Sequence, residues 1–196
     1  MKSALATFEW GDELPGLEGE RIVLRQMRES DAEDVFAIYR DEEVIRYWSS
    51  PAHESIDDAL ELISDTKEQF EARTMFEWGA ALRETDSVIG TFTLLNVDTP
   101  HRRAEVGYAI AREFWGGGYG TEGLELLVAF AFGHLNLHRL EADVHPDNKG
   151  SFRLLEKQGF AREGYLRERW HHLGRIEDGV FLGLLRPDWL ALKEKQ

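Results

Sequence analysis

Trp115-Gly116-Gly117-Gly118-Tyr119-Gly120-Thr121-Glu122 stands between a strand-like run and the most regular amphipathic segment of the chain. Upstream, Ala104 to Ile110 (AEVGYAI) alternates as a half-buried strand does. Downstream, Leu124, Leu127, Val128, Ala131, Phe132 and Leu135 recur at the spacing of one helix face. Glycines let backbone approach a ligand closely and turn several N–H groups to one side. A helix start adds unpaired donors and the positive end of its dipole. A strand, a glycine turn and a helix in this order therefore read as an anion site suited to phosphate, against the plainer alternative of a connection without a ligand.

Two phosphate-binding motifs are excluded by the surrounding residues. A Walker A loop needs GxxxxGK[ST], and no lysine follows Gly120. Gly118 to Gly123 spells GxGxxG, and Glu141 and Asp143 lie about 20 residues on, where a ribose-binding acid would stand. That fingerprint belongs in the first tight turn of a parallel sheet, however, and here it follows an antiparallel meander. Too little chain remains after it for a second mononucleotide half.

Working outward, Arg21 to Arg28 reads as a first strand, and Ser30-Asp31-Ala32-Glu33 as a capping box opening a helix through Tyr39. A second helix is expected from Ile56 to Arg73 behind Ser55. Trp78 to Arg83 and Val88 to Leu95 flank a turn at Glu84 to Ser87 and predict an antiparallel hairpin. Ala104 to Ile110 continues it, with Gly107 marking a bulge or a close approach. Beyond the helix that starts near Gly120, the pattern predicts a strand at His138 to Val144, a short helix at Ser151 to Gln158 stopped by Gly159, and strands at Ala161 to Arg169 and Ile176 to Leu185, ending before Pro187. The expected class is α+β, a mixed sheet of six to seven strands with about four helices. Residues 1–20 read as a lead-in, 21–189 as a single domain and 190–196 as a tail.

The chain has 196 residues, 42% hydrophobic and 31% charged, enough for one domain with its own core. It contains no cysteine, which rules out disulfides, thiolate metal sites and a cysteine nucleophile. A net charge of −14 argues against a nucleic-acid partner. No apolar run reaches the length of a membrane span, and the N-terminus turns acidic too early for a secretory signal, so a cytoplasmic address is expected.

The glycine segment resembles the (Q/R)xxGx(G/A) signature of the GCN5-related N-acetyltransferases (GNAT superfamily), with Trp115 in place of the usual Gln or Arg. Within that superfamily it is similar to the branch of ribosomal-protein N-terminal alanine/serine acetyltransferases. Glu105-Val106-Gly107-Tyr108, Asn148-Lys149-Gly150-Ser151, Leu154 to Phe160 (LLEKQGF) and Leu185 to Trp189 match its other segments, so the resemblance spans about Arg21 to Trp189. It implies a sheet splayed at its centre, between the strands at Ala104 to Ile110 and His138 to Val144. It also implies acetyl-CoA as co-substrate, with direct transfer to a primary amine. That acceptor is a protein N-terminus, a ribosomal one among them, or a small amine such as a polyamine or aminosugar. A non-catalytic acyl-CoA-binding module is the rival from another class, and a homodimer stays open.

By the same resemblance Trp115, Gly116, Gly117, Gly118, Tyr119, Gly120 and Thr121 would hold the pyrophosphate. The backbone of Ile110 and Ala111 would receive the pantetheine arm, and Asn148 would hydrogen-bond it. From Arg139 to Arg175 the chain carries eight basic and six acidic residues, a local excess of positive charge in an acidic protein. Lys149, Arg153 and Lys157 are its candidates for the CoA phosphates, or else ordinary solvated helix charges. Tyr119 is a packing or CoA contact.

Amide formation needs a neutral nitrogen, stabilisation of an oxyanion and a proton for the leaving thiolate. Glu105 is the general-base candidate, directly or through water; the alternative is a carboxylate in a structural hydrogen bond. Ser151 is the candidate thiol proton donor by resemblance; the alternative is the N-cap of the short helix. Asp143 and His145 are placed to bind or deprotonate substrate. His171-His172 form a conspicuous pair, but without Cys or HExxH no metal site is expected.

Overall fold

Period-two alternation builds the sheet. In β3 (Phe76–Leu82), β4 (Val88–Asp98), β5 (Arg103–Ile110) and β6 (Arg139–Val144), one set of residues enters a large core and the next set turns to the opposite face. Phe76, Trp78, Phe92, Leu94, Ala104, Val106, Leu140 and Ala142 are buried in the first core. Ala81, Val88 and Ala109 belong to a second, smaller core on the other face. The structure is a computed structural model and describes residues 13–48, 50–172 and 174–194. Residues 1–12 of the expected lead-in, 195–196 of the expected tail and the His172 side chain lie outside the described residues.

Helix α3 (Tyr119–Gly133) covers the first core, burying Leu124, Leu127, Val128 and Ala131, and α4 (Lys149–Lys157) adds Phe152 and Leu155. Helices α1 (Ala32–Tyr39) and α2 (Ile56–Ala72) close the opposite face through Val35, Ile38, Ala59 and Ile63. Each of the larger of these side chains, the Val, Leu, Ile and Phe, contributes about 1.5–3 kcal/mol by leaving water. Two further strands, β1 (Leu17–Glu18) and β2 (Ile22–Arg25), together with β7 (Ala161–His172) and β8 (Arg175–Leu185), complete a sheet of order β1-β2-β3-β4-β5-β6-β8-β7. All neighbours are antiparallel except β5 and β6.

The class is the expected α+β, with one more strand and one more helix among the described residues. Strand β1 is two residues long, too short to show a period, and pairs with β2 inside the segment read as a lead-in. That segment is also tied down where the Pro15 carbonyl accepts the indole N–H of buried Trp78 at 2.8 Å. Helix α5 (Arg186–Lys193) begins where a stop was expected, because Pro187 occupies the first turn, whose N–H needs no partner.

Two caps are shifted from their expected residues. In the 3-10 turn Glu29–Asp31 that leads into α1, the Asp31 carboxylate, not Ser30 with Glu33, reaches back to the Arg28 N–H at 2.8 Å, and buried Arg25 holds it from the other side at 2.7 Å. At α4 the helix starts two residues earlier than expected, and Asn148 rather than Ser151 is the cap. Gly107 is no bulge: it sits in register opposite Thr93, and the irregularity falls in β4, between Leu95 and Asp98.

Candidate active site

Strands β5 and β6 are hydrogen-bonded only at Arg103/Arg139, Ala104/Leu140 and Glu105/Glu141, although both strands continue. Beyond Glu105 the two part. The Ala111 N–H donates to the Ile89 carbonyl at 2.9 Å, so the alternation of an antiparallel ladder turns the odd-numbered backbone groups of β5 toward β4. Those of Val106, Tyr108 and Ile110 face the gap, and unpaired main-chain groups call for partners. A cavity of about 320 Å³ lies there, lined by Glu105 to Tyr108 and by Ala142 to His145.

The glycine turn stands at the far end of this gap. Gly116 and Gly118 have φ of +74° and +85°, a region that L-residues with a Cβ avoid. Gly118 is the left-handed N-cap of α3 and no side chain caps the helix, so its first-turn N–H groups, through Gly120 and Thr121, remain for an anion. An acid in that turn would repel a phosphate, but Glu122 is drawn aside. Burial pulls its carboxyl upward, yet the Arg21 and Ile22 N–H groups and the Arg21 guanidinium hold it below the usual range. Arg21 also donates to the Gly117 carbonyl at 2.8 Å and lies 4.4 Å above the Tyr119 ring, which packs edge-on against Phe114. Replacing Gly118 by Val is expected to weaken acetyl-CoA binding about tenfold or more, roughly 1.4 kcal/mol. The new side chain would be strained, and its Cβ would stand 3.2 Å from the Arg21 guanidinium, which it would crowd. Calorimetric titration beside circular dichroism checks this, and a folded variant of unchanged affinity contradicts the site.

Helix α4 flanks the turn: the Gln158 amide donates to the Thr121 carbonyl at 3.4 Å. Lys149, Arg153 and Lys157 are exposed at i, i+4 and i+8, one face of this helix. Asn148 Oδ1 accepts from the Ser151 N–H at 3.0 Å, which leaves its Nδ2 for another acceptor. Because Asn148 caps the helix, the Ser151 hydroxyl is free of that duty, and it pairs with the Tyr108 hydroxyl at 2.7 Å on the cavity wall. Burial raises the Tyr108 pKa well above its ordinary value, so its proton stays on.

Glu105 faces the cavity from β5. Burial raises its carboxyl; Asn96 Nδ2, donating at 3.0 Å, lowers it; nearby Asp143 and Glu141 raise it again. The net direction is up, as suits a group that must take a proton near neutrality. The β4 irregularity sets Asn96 at φ +51°, where its side chain meets Glu105. Asp143 is nearly buried and bonded to Arg169 at 2.8 Å through Oδ2. His145 accepts the Asp147 N–H at Nδ1 and stacks on Tyr47. His171 is exposed on β7, away from the cavity lining. Among the described residues no group of three or more His, Asp or Glu is placed to hold a metal.

At the end of β5 the two residues expected to receive the arm differ in the main-chain groups they leave unpaired. Ala111 presents neither main-chain group to the gap: its carbonyl accepts from Phe114 and its N–H is on Ile89. The Ile110 carbonyl is taken by the Trp115 indole at 2.7 Å, so only the Ile110 N–H is left there. Val106 and Tyr108 offer the groups that Ala111 does not. Arg21 and Asn96, which meet Glu122 and Glu105, and Tyr108 and Glu77, which line the cavity, were not among the candidate site residues. A ladder in register would have shown Tyr108 facing the gap, but nothing local marks the other three.

An opened parallel seam with an uncapped glycine-rich helix start beside it is the fold of an N-acetyltransferase. The sequence profile described as Acetyltransferase (GNAT) domain matches residues 21–161, and the chain belongs to that family. It is 36% identical over 173 residues to the "Uncharacterized N-acetyltransferase YoaA" of Bacillus subtilis (88% of this chain, 98% of that one). It is 32% identical to the "Putative ribosomal N-acetyltransferase YdaF" of the same organism (87% and 94%). The crystal structure of spermidine N-acetyltransferase from Vibrio cholerae, in complex with CoA and spermine, superposes with a TM-score of 0.76 at 25% identity (87% and 98%).

Proposed function

We propose that the protein transfers the acetyl group of acetyl-CoA directly to a primary amine, in a ternary complex, with Glu105 as general base and Ser151 as proton donor to sulfur. The observation that carries this is the coincidence at one gap of an uncapped helix start, unpaired β5 main chain, and the Glu105 and Ser151 side chains. The turn from Gly116 to Thr121, with Arg21 beside it and the basic face of α4 behind, suits the phosphates. The seam-facing groups of Val106 and Tyr108, the Ile110 N–H and Asn148 Nδ2 suit the two amides of the arm. As the nitrogen bonds to the thioester carbonyl carbon, Glu105 takes its proton. As the carbon–sulfur bond breaks, Ser151 gives its hydroxyl proton to the thiolate and takes one back from solvent, to which Glu105 releases the proton it accepted. Tyr108, donating to Ser151 Oγ, leaves the serine proton free to point at sulfur. The chain acts in this reading as one cytoplasmic domain between Arg21 and Trp189.

Relatives are named for both acceptor kinds that the sequence suggests, a ribosomal protein N-terminus and a polyamine. The test is a panel of amines and N-terminal peptides with acetyl-CoA, read by product mass and free thiol, beside a thermal-shift assay. Acetyl-CoA is expected to raise the Tm and NADH to leave it unchanged, with thiol released in step with acetylated amine. A Tm rise with no amine acetylated would favour a binding module.

A further inference from the structure

The cavity continues away from the seam, over the face of the sheet turned toward α1 and α2. Four carboxylates line it, Glu77, Glu105, Asp143 and Glu177, and among the described residues no Lys or Arg does. Two of the four have a basic neighbour, Asp143 with Arg169 and Glu177 with His145. Glu77 and Glu105 have no Lys or Arg nitrogen within ion-pairing distance among the described residues. Glu77 is 6% exposed, and the Tyr39 hydroxyl donates to it at 3.2 Å and is itself bonded to Thr91. Burial raises the Glu77 carboxyl against the pull of these hydroxyls, so without a cation it is held toward its neutral form, and a cation entering the cavity would find an unclaimed carboxylate there.

Strand register gives the spacing. Glu77 is opposite Thr93, Thr93 is opposite Gly107, and Glu105 lies two residues before Gly107 on the same face. Two strand spacings across and two residues along place the Cα atoms of Glu77 and Glu105 about 12 Å apart. Strand side chains stand roughly perpendicular to the sheet, so two parallel Glu side chains keep about the Cα spacing. With an ammonium about 2.8 Å inside each carboxylate, a span of about 6 Å remains, that of a chain of three to five methylenes. The floor between them is Thr93, Leu95 and Gly107, with Met75 and Trp48 also on the wall, an apolar slot that suits such a chain.

We propose that the acceptor is an aliphatic α,ω-diamine, its reacting nitrogen at Glu105 and its second, charged nitrogen at Glu77. This rests on the transferase reading above. The two nitrogens have different tasks: one must lose its proton to react, whereas the other keeps its charge and anchors the molecule. A monoamine has nothing to leave at Glu77.

The test compares kcat/KM for 1,4-diaminobutane and butylamine at saturating acetyl-CoA, in the wild type and in Glu77→Gln. The wild type is expected to prefer the diamine by about 30-fold or more, and Glu77→Gln to cut that preference at least about fivefold. Across diamines of two to eight methylenes the optimum is expected at three to five, a readout that needs no variant. Equal use of the two amines, a flat length series, an undiminished preference in folded Glu77→Gln, or a peptide α-amine used better than any diamine would each overturn the proposal. Failure to acetylate any amine would instead remove the transferase reading, and the diamine with it.

Discussion

Glu105→Gln is expected to lower kcat by about two to four orders of magnitude, the usual contribution of a positioned general base, while acetyl-CoA affinity stays within about a factor of two. The amide keeps the shape and can still meet Asn96, so packing is conserved and only proton acceptance is lost. The pH dependence separates this from a structural role. A base must be ionised to act, so the rate falls as pH drops through the Glu105 pKa. Burial first, then the Asp143 and Glu141 charges, place that limb above the ordinary carboxylate range, against the downward pull of Asn96. The limb is expected to vanish in Glu105→Gln. In Asn96→Ala it should move to higher pH, because the donor that favours the ionised form is gone. A Gln variant with wild-type kcat, or one that keeps the acid limb, would return Glu105 to a hydrogen-bonding role and shift attention to Asp143.

What could be read in the chain before folding was whatever depends on neighbours in sequence. The glycine turn and the stripe from Leu124 to Leu135 announce a helix whose start is exposed, and the structure has that helix with Gly118 at its cap. The seam followed from the family likeness, and the register shows where it opens, just after Glu105. Local rules misled where a long-range partner competed. Ser30 is a good cap in isolation, but the Arg25–Asp31 ion pair draws Asp31 into that place. Pro187 ends a strand and also starts a helix, and only the packing of Trp189 on Phe132 says which follows. Three of the residues that went unseen share one trait. Arg21 reaches Glu122 across 101 residues, and Tyr108 reaches Ser151 across 43. Tyr39 reaches Glu77 across 38. No window of sequence contains both members of any of these pairs.

Ser151→Ala is expected to cost about two orders of magnitude in kcat, and Tyr108→Phe about one, with KM for acetyl-CoA little changed in either. The two hydroxyls act in series, so the double variant should be no slower than Ser151→Ala alone; residues that work as a unit do not add. The rate, rather than the stability, discriminates between the readings. Were Ser151 the helix cap, its loss would cost about 1 kcal/mol or more through the helix and leave chemistry alone. Asn148 holds that position, with Oδ1 on the Ser151 main-chain N–H, which alanine retains. Ser151→Ala therefore removes only the bond to Tyr108, worth about 1 kcal/mol net, whereas Asn148→Ala carries the larger structural loss. Ser151→Thr, which restores a hydroxyl, should recover most of the rate. Tyr108 enters through orientation rather than acidity: burial keeps it protonated across the working range, so Tyr108→Phe should scale the pH profile down without moving it. A Ser151→Ala enzyme with unchanged kcat and a lowered Tm would make this hydroxyl a structural group after all, and the leaving sulfur would have to take its proton from water.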